Sequence, residues 1–384
     1  MLRLVHREPG VTRVDAARRL GIGTGTASDL VGSLVREDLV TEQHQRGAGR
    51  RGRPTRELVA SPNGPIVLAA AIRHNAWQLD AVAIGNQRVW SETGPNLGSD
   101  GHETLAELAA GVEEACRRFR GRVRGLGVAA PGVIYEGRRL DATMLGWHDL
   151  DLRQSWPEAP IFTAGNDATL AAVGEVLRGS AGTSSLTVHL HVDVGLGGAL
   201  LQNGVVVEGA HGLAGEFGHL PMGDPSVECP CGAYGCWGAS VDGSYLARLL
   251  GNLPPSDPVA YTHRILTRAG SGDRAAQAGI AGVAQILGRG VAGLVNALDA
   301  DLVVLSGVAP EIVGAARDSF DRSYLDGLMS SRRGGPVAVR HASLGEQGPI
   351  TGAAESVWTR FWDMLRSPDR RRTPRREVPA GAPR

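Results

Sequence analysis

Apolar positions follow two rhythms along this chain of 384 residues. From residue 66 onward, short apolar runs alternate with stretches whose apolar residues recur three or four apart. The runs at 66–72, 79–84, 123–128, 186–192, 198–201 and 302–305 predict strands. The periodic stretches at 103–119, 168–177, 240–250, 274–298 and 310–320 predict helices. Strands alternating with helices predict an α/β body, and the long series predicts two lobes.

The first sixty residues follow a different rhythm. Leu2 and Val5, then Pro9-Gly10, predict a short helix and its stop. Thr12 is placed to cap a second helix with Val14, Ala17 and Leu20 on one face, which Gly21 ends. A short turn, Gly21-Ile22-Gly23-Thr24, leads to a third helix with Ala27, Leu30, Val31 and Leu34 as its apolar stripe. Two helices joined by a short Gly-containing turn form a helix-turn-helix. Residues 39–42 and 57–60 then predict two strands around a Gly- and Arg-rich hairpin tip at 46–54. The whole is the pattern of a winged helix, over residues 1–60. Ser61-Pro62-Asn63-Gly64-Pro65 predicts a linker at 61–65, and the body runs over 66–365.

A helix-turn-helix presents the start of its second helix to base edges in the major groove. Here that start is Thr24, Gly25, Thr26, Ala27, Ser28 and Asp29. Small hydroxyl residues suit close approach, and Ala and Thr methyls can touch thymine methyls. The Gly-flanked Arg50, Arg51 and Arg53 would enter a minor groove, whose narrow form attracts Arg. The alternative is a loop whose Arg side chains only solvate it.

Composition sharpens this picture. Hydrophobic residues make up 42% and charged residues 21%, which suits packed cores rather than wholesale disorder. The net charge of zero hides asymmetry: residues 1–60 hold 11 Arg against seven acidic residues, and residues 366–384 hold seven against two. Basic ends on an acidic body direct any nucleic-acid contact to the ends. The Pro- and Arg-rich tail, 366–384, is expected to be disordered. No apolar run approaches the ~18 residues of a membrane span, and no secretory signal opens the chain. The expectation is a cytoplasmic protein without membrane contact.

Four Cys are too few for a disulfide framework. Three cluster as C-x-C-x4-C, at Cys229, Cys231 and Cys236, whereas Cys116 stands apart in a helical pattern as a buried apolar residue. Clustered Cys outside a secreted scaffold favours a metal. Zinc takes four Cys or His ligands in a closed structural site, so a fourth is needed nearby. His219 is the candidate, with His211 its rival.

The order of these features resembles one family. A winged helix precedes Ala164-Gly165-Asn166-Asp167-Ala168, a Gly-rich turn at 195–198, Gly212-Leu213-Ala214-Gly215-Glu216-Phe217-Gly218-His219, and the Cys cluster C-x-C-G-x-x-G-C. Over residues 1–365 this resembles the ROK family (repressors, open reading frames and sugar kinases), in its transcriptional-regulator branch. The resemblance implies a two-lobed, actin-like ATPase fold with a sugar in the cleft between lobes. It implies that Asp167 holds the position of the kinases' catalytic base, with Asn166, Glu216 and His219 on sugar hydroxyls. It implies His219 binding zinc through its other ring nitrogen. It also implies homodimers or homotetramers on operator DNA, with a sugar or sugar phosphate as effector. Unless a sugar binds there, Asp167 is a helix N-cap and Glu216 and His219 support the metal loop.

Departures from the kinase pattern matter equally. Ala71 stands where the kinases' phosphate loop has Asp, and Arg73 and His74 where it has Gly. Backbone approach to phosphates needs Gly, and Mg²⁺ needs carboxylates. In the second phosphate loop Asp193 would repel phosphate, and Val194 lacks a Thr hydroxyl. Gly238 replaces a sugar-binding Glu, and Met144 an Asn. The reading is a carbohydrate-gene repressor that is no longer an enzyme. A regulator whose body only oligomerises, or an active sugar kinase, are the alternatives.

Overall fold

The computed structural model describes residues 1–44, 56–96, 100–182 and 184–366. The wing tip with Arg50, Arg51 and Arg53, and the tail from residue 367, lie outside the described residues.

The head contains α1 (Leu2–Arg7), α2 (Arg13–Leu20), α3 (Thr24–Arg36) and the antiparallel pair β1 (Val40–His44) and β2 (Arg56–Ala60). The Thr12 hydroxyl accepts the Asp15 N–H, and Gly21 ends α2 in the left-handed region. Helix α3 begins at Thr24, so the turn is one residue shorter than expected. The buried faces also differ in phase. Ala16 and Ala17 fill the α2 contact, whereas Val14, Leu20 and Leu30 are exposed. In so small a domain short Ala side chains allow close helix approach, and the larger ones are left outside.

The first lobe follows with β3 (Ile66–Ile72), β4 (Ala76–Ala83), β5 (Gln87–Pro95), α4 (Gly101–Arg118), β6 (Val123–Ala130), the meander β7 (Val133–Tyr135), β8 (Arg139–Ala142) and β9 (Trp147–Asp151), then β10 (Phe162–Asn166) and α5 (Asp167–Arg178). The second lobe has β11 (Leu186–Asp193), β12 (Gly195–Gln202), β13 (Val205–Val206), α6 (Gly243–Leu249), α7 (Pro258–Gly270), α8 (Arg274–Leu298), β14 (Leu302–Gly307), α9 (Ala309–Ala315), α10 (Arg317–Gly327) and β15 (Ala338–His341). Helix α11 (Gly348–Arg366) returns to the first lobe, packing on α5, β3 and β6.

Both sheets have five strands in one connectivity. Their orders are β10-β6-β3-β4-β5 and β13-β12-β11-β14-β15. In each, three consecutive strands pair antiparallel and two further strands add in parallel to the first. This repetition makes the α/β fold two-lobed. In open α/β sheets the crevice lies beyond the carboxyl ends of the strands, and the β10–α5 and β11–β12 junctions both lie there.

Several expectations are corrected. The helix expected at 310–320 is two helices broken at Ala316. The expected Gly-rich turn at 195–198 is the start of β12, and the turn itself is Asp193-Val194-Gly195. Helix α8 is apolar and long enough to cross a membrane by composition, but it is the central helix of the second lobe's core. Cys116 is half-buried against the first lobe's core.

Residues 61–65 form a tight turn pinned at both ends. Ser61 N–H donates to Leu39 O, and the Arg122 guanidinium to Gly64 O. The head and first lobe share one core, in which Val5, Val31 and Leu58 meet Val82, Ile84, Trp358 and Trp362.

Candidate ligand cleft and metal centre

The cleft residues sit on the ends of regular elements. Asn166 ends β10 and caps α5: its Oδ1 accepts the Thr169 N–H at 3.2 Å and its Nδ2 donates to Gly132 O at 3.0 Å. The cap is therefore Asn166, not Asp167. Its amide thus makes one hydrogen bond on each side within the protein, leaving a second N–H and a second lone pair on the side chain. Asp167 is the first residue of α5, with Oδ1 accepting the Ala168 N–H at 2.7 Å. Burial raises its carboxyl above the usual range, opposed by His191 and assisted by Asp193. Burial also raises the Glu216 carboxyl, opposed by His219 and assisted by the nearby charge of Asp167. Asp167, Glu216 and His219 are thus electrostatic neighbours at one place. His191 and Asp193, which the sequence did not single out as ligands, complete the group.

The two lobes meet tightly here. A Cβ on Gly197 of β12 would lie 2.7 Å from the Ala168 Cβ. A Cβ on Gly218 would lie 2.0 Å from Leu196 O, so only Gly lets the Glu216–His219 turn rest on β12. Gly238 packs against the same strand: a Cβ would lie 3.0 Å from Leu196 N. Between residues of the two lobes, a cavity of about 350 Å³ is lined by His74, Asn75, Asn96, Met144, Leu145 and residues 256–257.

His219 presents its two ring nitrogens to different partners at one turn. Its Nδ1 is 3.9 Å from Cys229 Sγ, and its Nε2 is 3.8 Å from Glu216 Oε2. Cys231 and Cys236 sulfurs are 3.7 Å apart, and all four ligand atoms lie within 4.8 Å of one another. His211 is not in this cluster. Tetrahedral thiolate zinc, with Zn–S near 2.3 Å, would place its sulfurs roughly 3.8 Å apart. The four donors fit a metal ion. Gly232, at φ +90°, makes the turn that brings Cys231 back under Cys229, with the Gly232 N–H donating to Cys229 O. The Ala233 backbone N–H holds the Cys231 thiol down to about 7, whereas burial pushes Cys236 up to about 12.

The β3–β4 turn, where the family resemblance expects a phosphate loop, ties the lobes together. In the β3–β4 turn the Arg73 guanidinium donates to Glu346 Oε2 at 3.1 Å and to its backbone O at 2.9 Å. A His74 ring nitrogen is 3.0 Å from Ser256 O, and Asn75 Nδ2 donates to Asp257 at 2.9 Å.

On the head, Thr24, Gly25, Thr26 and Asp29 are exposed and Ser28 is half-buried. Ala27 is a correction. It is 1% exposed, turned with Val31 into the head's core, and presents no methyl to a groove. The head is joined to the body through a buried triad that the sequence did not reveal. His6 Nε2 is 3.0 Å from Glu355 Oε2, and its Nδ1 accepts the Gly85 N–H at 3.0 Å. Arg178, the last residue of α5, donates to Glu355 at 2.6 Å and to His6 O at 2.6 Å. The His6 ring lies 5.3 Å from Trp358 and 5.4 Å from Trp362.

Comparison with known proteins identifies the surroundings of this architecture. The sequence profile described as "ROK family" matches residues 84–360. The xylose repressor of Bacillus subtilis (strain 168) is 24% identical over 376 residues, 95% of either chain. The glucokinase of Halalkalibacterium halodurans is 28% identical over 249 residues, 59% of this chain and 74% of its own. Among solved structures, a ROK family transcriptional regulator described as a homolog of E. coli MLC protein superposes with a TM-score of 0.71 at 20% identity, over 94% of this chain and 96% of its own. A ROK family glucokinase from Streptomyces griseus, in complex with glucose and AMPPNP, superposes at 0.65 and 21% identity, over 77% of this chain and 99% of its own.

Proposed function

This chain belongs to the ROK family, and from that premise we propose that it is a transcriptional repressor of carbohydrate-uptake or catabolic genes, released from operator DNA by a sugar or sugar phosphate. The observation that carries this is helix α5. Its first residue, Asp167, stands in the cleft, and its last, Arg178, grips α1 of the head. A sugar that moves the N-terminus of α5 acts on the head through one rigid element. The similarity to xylose repressors over 95% of this chain, head and body together, supports the same reading and makes xylose the first sugar to test.

Residues 1–60 are the DNA-binding domain in this proposal, 61–65 join it to the body, and 66–365 bind the effector. Thr24, Gly25, Thr26, Ser28 and Asp29 face the major groove, and Arg50, Arg51 and Arg53 of the wing reach the minor groove. Asp167 and Glu216 accept hydrogen bonds from sugar hydroxyls, and His219 adds a contact through Nε2. His219, Cys229, Cys231 and Cys236 hold a structural zinc ion. When bound, zinc fixes the His219 ring and neutralises the thiolates; four protein ligands leave no position for a catalytic water. The protein acts in the cytoplasm as a homodimer or homotetramer, since a two-fold assembly matches a palindromic operator.

Sugar kinase activity has been lost in this reading. The β3–β4 turn spends Arg73, His74 and Asn75 on ties to Glu346, Ser256 and Asp257, where a kinase needs open backbone for phosphates. Release requires the sugar to bind the DNA-free arrangement more tightly than the DNA-bound one.

The experiment is duplex selection from a random pool, followed by a salt titration of the selected complex. Wild-type protein should select a palindrome and show a steep negative salt slope, shallower with Arg50, Arg51 and Arg53 changed to Ala. Mg-ATP with xylose or glucose should yield no ADP. Failure to select any sequence would reject the repressor reading, and ADP release would restore the kinase alternative.

A further inference from the structure

The joint between head and body holds a cavity of its own, outside the cleft. Its volume is about 140 Å³, and it lies where α1 of the head meets α5 and α11 of the body. Arg3 and Arg7 come from α1, Arg178 from α5, and Glu355, Thr359 and Asp363 from α11. Arg3 and Arg7 are four apart in sequence, as are Glu355, Thr359 and Asp363 in turn, so each set shares one face of its helix. Charge at this joint is unbalanced. Arg3 Nη2 donates to Asp363 at 2.9 Å, Arg178 Nε donates to Glu355 at 2.6 Å, and His6 also contacts Glu355. Both carboxylates are therefore engaged. Arg7 is exposed and has no acidic partner among the described residues. Burial holds the His6 ring below its ordinary range, against the pull of Glu355, and the charges of Arg178 and Arg7 add to the effect of burial. With His6 neutral, three guanidinium groups meet two carboxylates, and one positive charge is left over.

Arg178 supplies an independent observation. Its side chain is only 9% exposed. Nε donates to Glu355 and Nη1 to His6 O, at 2.6 Å each. Nη2 is buried and has no hydrogen-bond partner among the described residues. An unpaired donor on a buried charged group is costly, so a guanidinium in this state at the wall of a cavity calls for an acceptor. Water supplies an acceptor without charge, whereas an oxyanion supplies both. Size decides which oxyanion. At ~30 Å³ per water the cavity has room for roughly four or five waters, which is the size of one phosphate group. Guanidinium forks match phosphate oxygens, and the Thr359 hydroxyl adds a donor of the kind phosphate accepts.

We propose that this cavity binds one phosphate group, inorganic or carried by a small phosphate monoester, between Arg178, Arg7 and Thr359. Such an anion touches α1, α5 and α11 at once and fastens the head to the body. The organic part of a monoester stays outside the cavity. The site rests on neither the sugar nor the operator reading, and its test contains neither, so its failure leaves the repressor reading standing.

The test titrates full-length, zinc-loaded protein, freed of excess metal, with inorganic phosphate in chloride buffer at constant ionic strength. Calorimetry should give one phosphate per chain, and the melting midpoint should rise as the site fills. Hydrogen exchange across α1 should slow in step. Arg7→Gln should keep the wild-type midpoint in chloride and weaken phosphate binding at least tenfold, because it removes a hydrogen bond between charged groups. Thr359→Val should weaken binding severalfold. Arg360→Gln, an exposed neighbour that does not line the cavity, should leave the affinity unchanged. Arg178→Lys keeps the charge but not the fork and should weaken binding as well; if it fails to fold, Arg7→Gln and Thr359→Val carry the decision. Titration with glycerol 3-phosphate separates the two sources: tighter binding than inorganic phosphate assigns the site to a monoester, and equal or weaker binding assigns it to the free ion. No saturable binding, equal affinity in wild type and Arg7→Gln, a melting shift that chloride alone reproduces, or binding that leaves exchange across α1 unchanged would each overturn the site.

Discussion

Burial keeps the His189 imidazole neutral down to about 3, whereas in the unfolded chain it takes up a proton near 6.5. Between those values the unfolded chain binds more protons, so stability falls as pH drops through that window, by up to about 1.4 kcal/mol per unit. Melting curves from pH 7 to pH 4 should show this slope, and His189→Asn should flatten it; an equally steep slope in the variant would remove His189 as its source. The metal loop makes a second prediction. Chelation, or Cys236→Ala, should take metal content from one ion per chain to none and lower the melting midpoint, as read by elemental analysis and calorimetry; full melting stability without metal would contradict a structural ion. The Cys spacing made this centre legible, because C-x-C-x4-C with a nearby His has few other uses. His191 and Asp193 were not legible. His191 reads as an ordinary strand position and Asp193 only as a loop residue that would repel phosphate, and only the β10–α5 junction, far away in sequence, brings Asp167 to them. Ala27 was assigned to both faces of its helix, to the apolar stripe and to the groove contacts, and its burial keeps only the first.

Helices carry the connections between these residues. Helix α5 runs from the cleft to the head, and its C-terminal Arg178 is a buried partner of Glu355. Removing one member of a buried pair leaves the other uncompensated, at a cost of about 3–5 kcal/mol. Arg178→Met should lower the melting midpoint accordingly. It should also leave sugar affinity near wild type while weakening sugar-driven DNA release. Loss of sugar binding itself would show that α5 only scaffolds the cleft. Most strands and helices of the body were legible from their apolar rhythm, and Arg274–Leu298 matches to the residue. Strand β5 was missed because it is an edge strand, exposed along much of both faces and without an apolar run. Helix α11 does carry an apolar stripe, at Ile350, Ala353, Ala354, Val357, Trp358 and Trp362. Its partner is the first sheet, on the far side of the second lobe in sequence, and no local pattern reveals that return. The break at Ala316 follows Gly314 by two residues, with α9 packed on β14 and α8 and α10 packed on α8.

At the scale of the molecule, the sequence shows a DNA-binding pattern, a body and a Pro- and Gly-rich joint, and suggests a head on a tether. The structure instead places the head on the first lobe, through a shared apolar core and the His6–Glu355–Arg178 triad. A docked head makes the orientation of the recognition helix a property of the body, as a sugar-gated repressor requires. The direct measurement is fluorescence anisotropy of the selected DNA duplex bound to zinc-loaded protein, titrated with xylose and then with other sugars and sugar phosphates, for wild type and Asp167→Ala. The account predicts that one sugar releases DNA from wild type at concentrations that leave the Asp167→Ala complex intact, with both proteins binding DNA equally in its absence. Release that is equal in both proteins, or DNA binding indifferent to every sugar tested, would contradict it.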